Sequence, residues 1–373
     1  MSELYIGLIS GTSADGIDAV VLDFSNNQTK AVAEQTYPYP EQVREEVLSL
    51  SQPLLSKEGQ RIDRQGHLDH HLGKLFAEAA RNVCKTAEIS MSEIVAIGSH
   101  GQTIRHRPQT QNPFSLQLAD PNVIAWETQC VTIADFRRID IAAGGQGAPL
   151  VPLFHQQMYQ SEAANRVILN LGGIANITWL PKDGQQVIGF DTGPANALCD
   201  YWIEQHQNND YDVEGAWARS GQTSTELLKH MLADPYFQLP APKSTGREYF
   251  DAQWLQQKLK GADPLPPEDV QSTLAELSAQ SIARHINKLP GPCEELLVCG
   301  GGIHNHYLIE RIEAALNGDI PVNPLNQGGL NSDFVEAATF AWLARERISN
   351  RRVDYRSITG SNSPLLMGAV YHP

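Results

Sequence analysis

Two patterns of apolar and polar positions alternate along the chain. Short runs rich in β-branched and aliphatic residues at 4–9, 17–24, 93–100 and 131–136 read as strands. Between 67 and 85, Leu68, Leu72, Leu75, Phe76, Ala79 and Val83 recur at steps of three and four, which predicts an amphipathic helix. The same spacing predicts helices over 273–289 and in "FVEAATFAWLARERI" near the end. Only "SGTSADG" separates the first two strands, so they predict a hairpin. The second half opens in the same way: "RVILNLGGIANITWL" is strand, glycine turn, strand. With Gly172 set against Gly11, the two hairpins lie about a domain apart, which predicts that each half begins with the same unit. "QVIGFDTGPANAL" then predicts a strand ending at Asp191, and "ELLVCGGGIHNHYLIERIEAAL" a strand, three glycines and a helix. Strands alternating with helices through both halves indicate an α/β protein. The glycine- and proline-rich "AAGGQGAPLVP", 142–152, is the predicted boundary or hinge.

Composition narrows the partners. A chain of 373 residues has the length of two domains, and a hydrophobic fraction of 41% suffices for ordinary cores. The 28 Lys and Arg against 43 Asp and Glu give a net charge of -15, with no dense basic block, which speaks against nucleic acid and anionic membranes as partners. Cys84, Cys130, Cys199, Cys293 and Cys299 are scattered and odd in number, so neither a disulfide framework nor a zinc site is indicated. The chain starts without a basic, apolar leader and holds no run of membrane-span length, which makes a reducing cytoplasm the expected location.

Candidate chemistry gathers at the glycine turns. In "GTSADG", Gly11 and Gly16 let the backbone approach a ligand, Thr12 and Ser13 add hydroxyls, and successive N–H groups form a concavity suited to phosphate. Alone, such a turn is an ordinary hairpin loop; the second copy, Gly172 to Asn176, changes that reading, because two turns can hold a polyphosphate from both sides. No P-loop motif is present. Gly300, Gly301 and Gly302 fit close packing of a nucleotide against the backbone, or simply a tight strand-to-helix turn. Asp191, at the expected strand end, is a candidate general base, the alternative being helix capping next to Gly193 and Pro194. In "ADFRRID", an extended segment would point Arg137 and Arg138 in opposite directions, so at most one of them faces a ligand, the alternative being a solvated surface pair. His100 and Gln102 in "SHGQT" are candidates to line a substrate site, and "STGREYF" is a second polar stretch of that kind. His67, His70 and His71 lack an acidic partner motif, and His71 shares the apolar face, so they read as structural.

"GTSADGID", "SHGQT", "ADFRRID" with "GGQGAPLVP", "LNLGGIANIT", "DTGPANAL", "STGRE" and "CGGGIHN" occur in this order and together resemble the anhydro-N-acetylmuramic acid kinase family. The resemblance implies two lobes, each with a ribonuclease-H-like core as in the actin-like ATPases, with a cleft between them. The expected division is a first lobe over 1–141 joined by 355–373 and a second over 142–354. It further implies ATP-dependent phosphorylation of 1,6-anhydro-N-acetylmuramic acid with hydrolytic opening of the anhydro ring, with Mg²⁺ and a homodimer; the metal ligands stay unknown. Gly11, Thr12, Ser13, Ala14, Asp15, Gly16, Ile17 and Asp18 would form the first phosphate loop. Gly172, Gly173 and Asn176 would form the second, and Gly300, Gly301 and Gly302 the adenosine loop. Asp191 would be the base and Arg137 the residue opposing negative charge, both at the sugar together with His100 and Gln102. A kinase of another small sugar or acid, or a nucleotide-switched binding module, is the rival reading.

Overall fold

The computed structural model describes residues 3–11, 13–51, 61–246, 249–260, 263–325 and 329–373. The chain forms two compact units, 1–154 with 326–373, and 155–325. Among the described residues, the first unit is built on a seven-stranded sheet. Strands β1 (Leu4–Ser10), β2 (Gly16–Asp23) and β3 (Lys30–Pro38) form an antiparallel meander. On the other side of β1 lie β4 (Ile94–Arg107) and β6 (Thr132–Ala134), both parallel; β5 (Phe114–Leu118) pairs with β4, and β12 (Ala369–Tyr371) closes the far edge. Every residue of β1 is buried, as its uninterrupted apolar run requires of a central strand covered on both faces.

One face is covered by the helix Arg61–Thr86, whose Leu68, Leu72, Phe76, Ala80 and Val83 join Ile6, Leu8, Val21 and Ile97 in the core. The other face carries the helix Val335–Ile348. Gly7 of β1 and Gly98 of β4 sit beneath it, and a Cβ at either position would strike the Ala337 or Phe340 carbonyl. Missing side chains on neighbouring strands thus let the helix lie directly on the sheet. Sequence alone put this helix in the second lobe, with only 355–373 returning; in the structure the return begins at 326. The loop after 142, read as the hinge, belongs to the first unit, where the buried Asp140 accepts the Gly147 N–H at 2.7 Å and the Thr359 hydroxyl at 2.7 Å.

The second unit repeats the plan. β7 (Arg166–Leu171), β8 (Ile174–Leu180) and β9 (Ile188–Pro194) form an antiparallel meander, with β10 (Glu295–Cys299) and β11 (Val322–Pro324) parallel on the other side of β7. Each sheet therefore has a meander whose first strand is also joined to parallel strands, the arrangement of a ribonuclease-H-like core. The helix Pro267–Ile286 starts earlier than predicted, with proline and the acids Glu268 and Asp269 in its first turn. Its C-terminal half packs Ala279, Ile282 and Ile286 on Val167, Leu169 and Leu296, while Val270, Leu274 and Leu277 enter a second cluster with Phe237, Phe250 and Trp254. No helix among the described residues is long and apolar enough to cross a membrane.

Candidate active site

In the first unit, β1 and β2 close on the turn 11–15, with Ile9 opposite Asp18. Ala14 adopts a left-handed φ of 54°, and its N–H returns to the Gly11 carbonyl at 3.2 Å. Gly16 is packed so tightly that a Cβ would meet the Tyr37 carbonyl. Ser13 and Asp15 are exposed, and Asp15 pairs with Arg44 at 3.4 Å. Thr12 lies outside the described residues. Asp18, half-buried at the base of the turn, accepts the Thr36 hydroxyl at 2.6 Å. Burial pushes its acid up against the pull of that hydroxyl, and Asp333 and Asp15 add to the rise.

Gln102 and His100, both expected at the substrate, are buried and make contacts within the protein. The Gln102 amide donates to the Gly11 carbonyl at 3.0 Å and accepts the Ser10 hydroxyl at 2.6 Å, so it fixes the first turn from behind. Arg137 Nε donates to His100 Nε2 at 2.8 Å, and Arg137 Nη1 to the Gly147 carbonyl at 2.7 Å. Burial, then the Arg137 charge, holds His100 well below its usual range, so its ring stays a neutral acceptor for that guanidinium. The extended segment expected at the arginine pair is replaced by the short helix Phe136–Ala142. The two side chains still diverge, because successive helical residues point about 100° apart. Arg138 is exposed beside Asp135 at 3.3 Å.

In the second unit, the Gly172–Gly173 turn between β7 and β8 is docked on the segment after β9. Ala195 and Ala197 donate N–H groups to the Gly173 carbonyl, at 3.0 and 3.1 Å. The Asn196 amide donates to the Leu171 and Gly172 carbonyls, at 3.1 and 2.9 Å. Gly300, with φ of 80°, and Gly302 press on Leu171, while Gly301 faces open space. That space belongs to a cavity of about 450 Å³ lined by Gly301, Gly302, Asn196, Asn305, Asp200 and Glu214 among others. Asn196 and Asn305 were not singled out in the sequence; their signal was their place inside the motifs "DTGPANAL" and "CGGGIHN".

Asp191 was expected at a strand end but sits inside β9, which runs on to Pro194, so Pro194 ends a strand instead of opening a helix; the next helix is Ala197–Gln207. Asp191 pairs across the sheet with Asn176 at a register shift where Thr192 is the extra residue of β9, which alters which way the neighbouring side chains point. Asp191 is half-buried, and its Oδ2 accepts the Thr245 N–H at 2.9 Å. Its own N–H donates to the Lys243 carbonyl at 3.2 Å, and its carbonyl accepts the Tyr236 hydroxyl at 2.7 Å. The structure thus brings Asp191, Asn176, Gly172 and the three-glycine loop together in one unit, and Arg137, His100, Gln102 and the first turn in the other. Arg247 and Glu248 of "STGREYF" lie outside the described residues. His67, His70 and His71 are all exposed; His71 is not on the buried face, which Leu68, Leu72 and Phe76 occupy.

A family model described as anhydro-N-acetylmuramic acid kinase matches residues 3–373. Curated proteins of that name are similar over nearly full length: one from Shewanella sp. (strain MR-7) is 48% identical over 98% of this chain and 98% of its own. Another from Saccharophagus degradans is 47% identical over 99% of each. Among solved structures, the ROK hexokinase from Thermus thermophilus aligns with a TM-score of 0.38 at 14% identity, covering 93% of this chain and 99% of that one. Component A of the (R)-2-hydroxyglutaryl-CoA dehydratase of Acidaminococcus fermentans aligns with a TM-score of 0.45 at 10% identity, covering 91% and 96%.

Proposed function

The chain belongs to the anhydro-N-acetylmuramic acid kinase family, and we propose that Asp191 and Arg137 carry the chemistry of that family here. The protein is an ATP-dependent sugar kinase: it phosphorylates 1,6-anhydro-N-acetylmuramic acid while water opens the anhydro ring, giving N-acetylmuramic acid 6-phosphate and ADP in the recycling of peptidoglycan. Water attacks the anomeric carbon as the bond to the bridging oxygen breaks. Asp191 takes the proton that water loses, as the base of an inverting glycosidase does. The released oxygen attacks the γ-phosphorus, and the bond to the β-phosphate breaks to leave ADP. The observation that carries this assignment is the position of Asp191, oriented by the Thr245 N–H and set across from Asn176 beside the second glycine turn.

Under this proposal, the turns at Gly11 to Asp18 and Gly172 to Asn176 donate N–H groups to the phosphates, and the cavity beside Gly301 takes the adenosine. Mg²⁺ belongs to the same proposal. Among the described residues no three ligating side chains gather. Mg²⁺ in such kinases takes one or two carboxylates and completes its shell with phosphate and water. Asp18 is a hard oxygen donor at the turn; burial first, then Asp333 and Asp15, pushes its acid up, and a cation beside it would favour the carboxylate. Bound, the ion would spread charge on the transferring phosphoryl group. A cytoplasmic homodimer completes the proposal.

The direct test is the product formed from ATP, Mg²⁺ and the anhydro sugar in ¹⁸O-labelled water. Mass spectrometry is expected to find a monophosphate with one heavy oxygen at the anomeric position. A monophosphate without it would mean that phosphorylation and water attack are separate, and would remove the base role from Asp191.

Gln102→Leu tests the first turn. It keeps the volume but removes the bonds to Gly11 and Ser10, and the KM for ATP is expected to rise about tenfold, the factor matching ~1.4 kcal/mol. A rise in the KM for sugar alone would return Gln102 to the substrate.

A further inference from the structure

Lys243 is an ammonium group buried in the second unit, 4% exposed, at the back of Asp191. Its Nζ donates to the Tyr236 carbonyl at 3.0 Å and to His285 Nε2 at 2.9 Å, and lies 4.2 Å from the centre of the Tyr236 ring. The Nδ1 of His285 donates to the Ser281 carbonyl at 2.6 Å, which leaves Nε2 as the acceptor the lysine needs. Burial, and then the lysine itself, pushes His285 down to about 4, so the ring is neutral wherever the enzyme works.

Tyr236 also touches Asp191, and so does the backbone segment that carries the lysine. The backbone carbonyl of Lys243 accepts the Asp191 N–H, and two residues on the Thr245 N–H holds Asp191 Oδ2. The hydroxyl of Tyr236 holds the Asp191 carbonyl. The lysine side chain therefore ties the 243–245 segment to the turn Pro235–Gln238 and to the helix Pro267–Ile286, and these contacts set where the Asp191 carboxylate stands. Buried cations are costly, and a purely structural tie could be made by neutral groups. What a lysine adds is a charge that interacts with that of Asp191.

Resting on the reading of Asp191 as base, we propose that Lys243 is a positioning residue for it, holding the carboxylate in place through the 243–245 segment and Tyr236. The charged groups around the ammonium are few. Asp191 faces it from β9 and favours its charge; Lys288 and Arg284, from the end of the long helix, oppose it; His285 and Tyr236 are neutral. Burial first, then Lys288, brings the Lys243 ammonium down to about 8 despite Asp191. A lysine so placed loses its proton as pH rises through that value, and the carboxylate then loses its support.

The pH profile of kcat/KM reads this directly. In the unaltered enzyme, activity is expected to fall on the alkaline side with an apparent pKa about 8. Lys243→Arg keeps a charge that does not titrate below pH ~12. It is expected to restore most of the turnover at neutral pH and to abolish that alkaline fall. Lys243→Met is expected to lower kcat by about 10²-fold, the scale of a misplaced reacting group, with the KM for ATP nearly unchanged. No alkaline fall between pH 7 and 9 in the unaltered enzyme, or the same fall in Lys243→Arg, overturns the proposal whether or not the methionine variant folds. A methionine variant that melts normally and keeps its kcat overturns it too. Full turnover by Asp191→Asn would instead remove the reading of Asp191; an inactive Asp191→Asn beside normal lysine variants removes only the role of Lys243.

Discussion

Asp191→Asn is expected to lower turnover by about 10³-fold or more, the loss of a general base, and to leave the affinity for ADP within about twofold. The substitution is nearly isosteric, and an asparagine carbonyl oxygen can still accept the Thr245 N–H that now meets Oδ2 at 2.9 Å. The Tyr236 hydroxyl and the Lys243 carbonyl engage only the backbone of residue 191, so they are untouched. What disappears is the ability to take the proton of the attacking water. Calorimetric titration of ADP alongside the product assay separates the two effects. Loss of nucleotide affinity in step with activity would mean that the carboxylate serves the metal or the fold.

The glycine turns were legible because their signal is local. An apolar run, a polar turn with glycine and a second apolar run can form little but a hairpin, and the recurrence at Gly172 marked the second unit before any topology was known. Partnerships between distant segments left no such trace. Nothing in "SHGQT" says that Gln102 reaches back to Gly11, or that His100 serves Arg137, because both bonds exist only once β4 lies beside β1 and the Phe136–Ala142 helix has formed. The helix Val335–Ile348 shows the same limit at the scale of a unit. Its apolar positions are clear in the sequence, but the sheet that receives it is decided by Gly7 and Gly98, more than two hundred residues earlier. The strand around Asp191 shows the limit again: a carboxylate amid glycine and proline looks like a strand end, whereas β9 continues because β8 and the 243–245 segment both hydrogen-bond to it.

Arg137→Met is expected to lower kcat by roughly 10²- to 10³-fold, the range found when a preorganised donor to developing negative charge is removed. The guanidinium donates to His100 Nε2 at 2.8 Å and to the Gly147 carbonyl at 2.7 Å, which fixes its orientation. A guanidinium held in a fixed orientation is preorganised to meet an anionic ligand. Arg137→Lys should recover only a small part of the activity, since an ammonium cannot meet both acceptors in the same plane. Arg138→Met is the control: that side chain is exposed beside Asp135, and its loss should change kcat by less than about twofold, as for an ordinary surface ion pair. Steady-state kinetics with both substrates varied decides between the neighbours. A larger defect at 138 than at 137 would transfer the role to Arg138, and the His100 contact would then serve only to hold the Phe136–Ala142 helix in place.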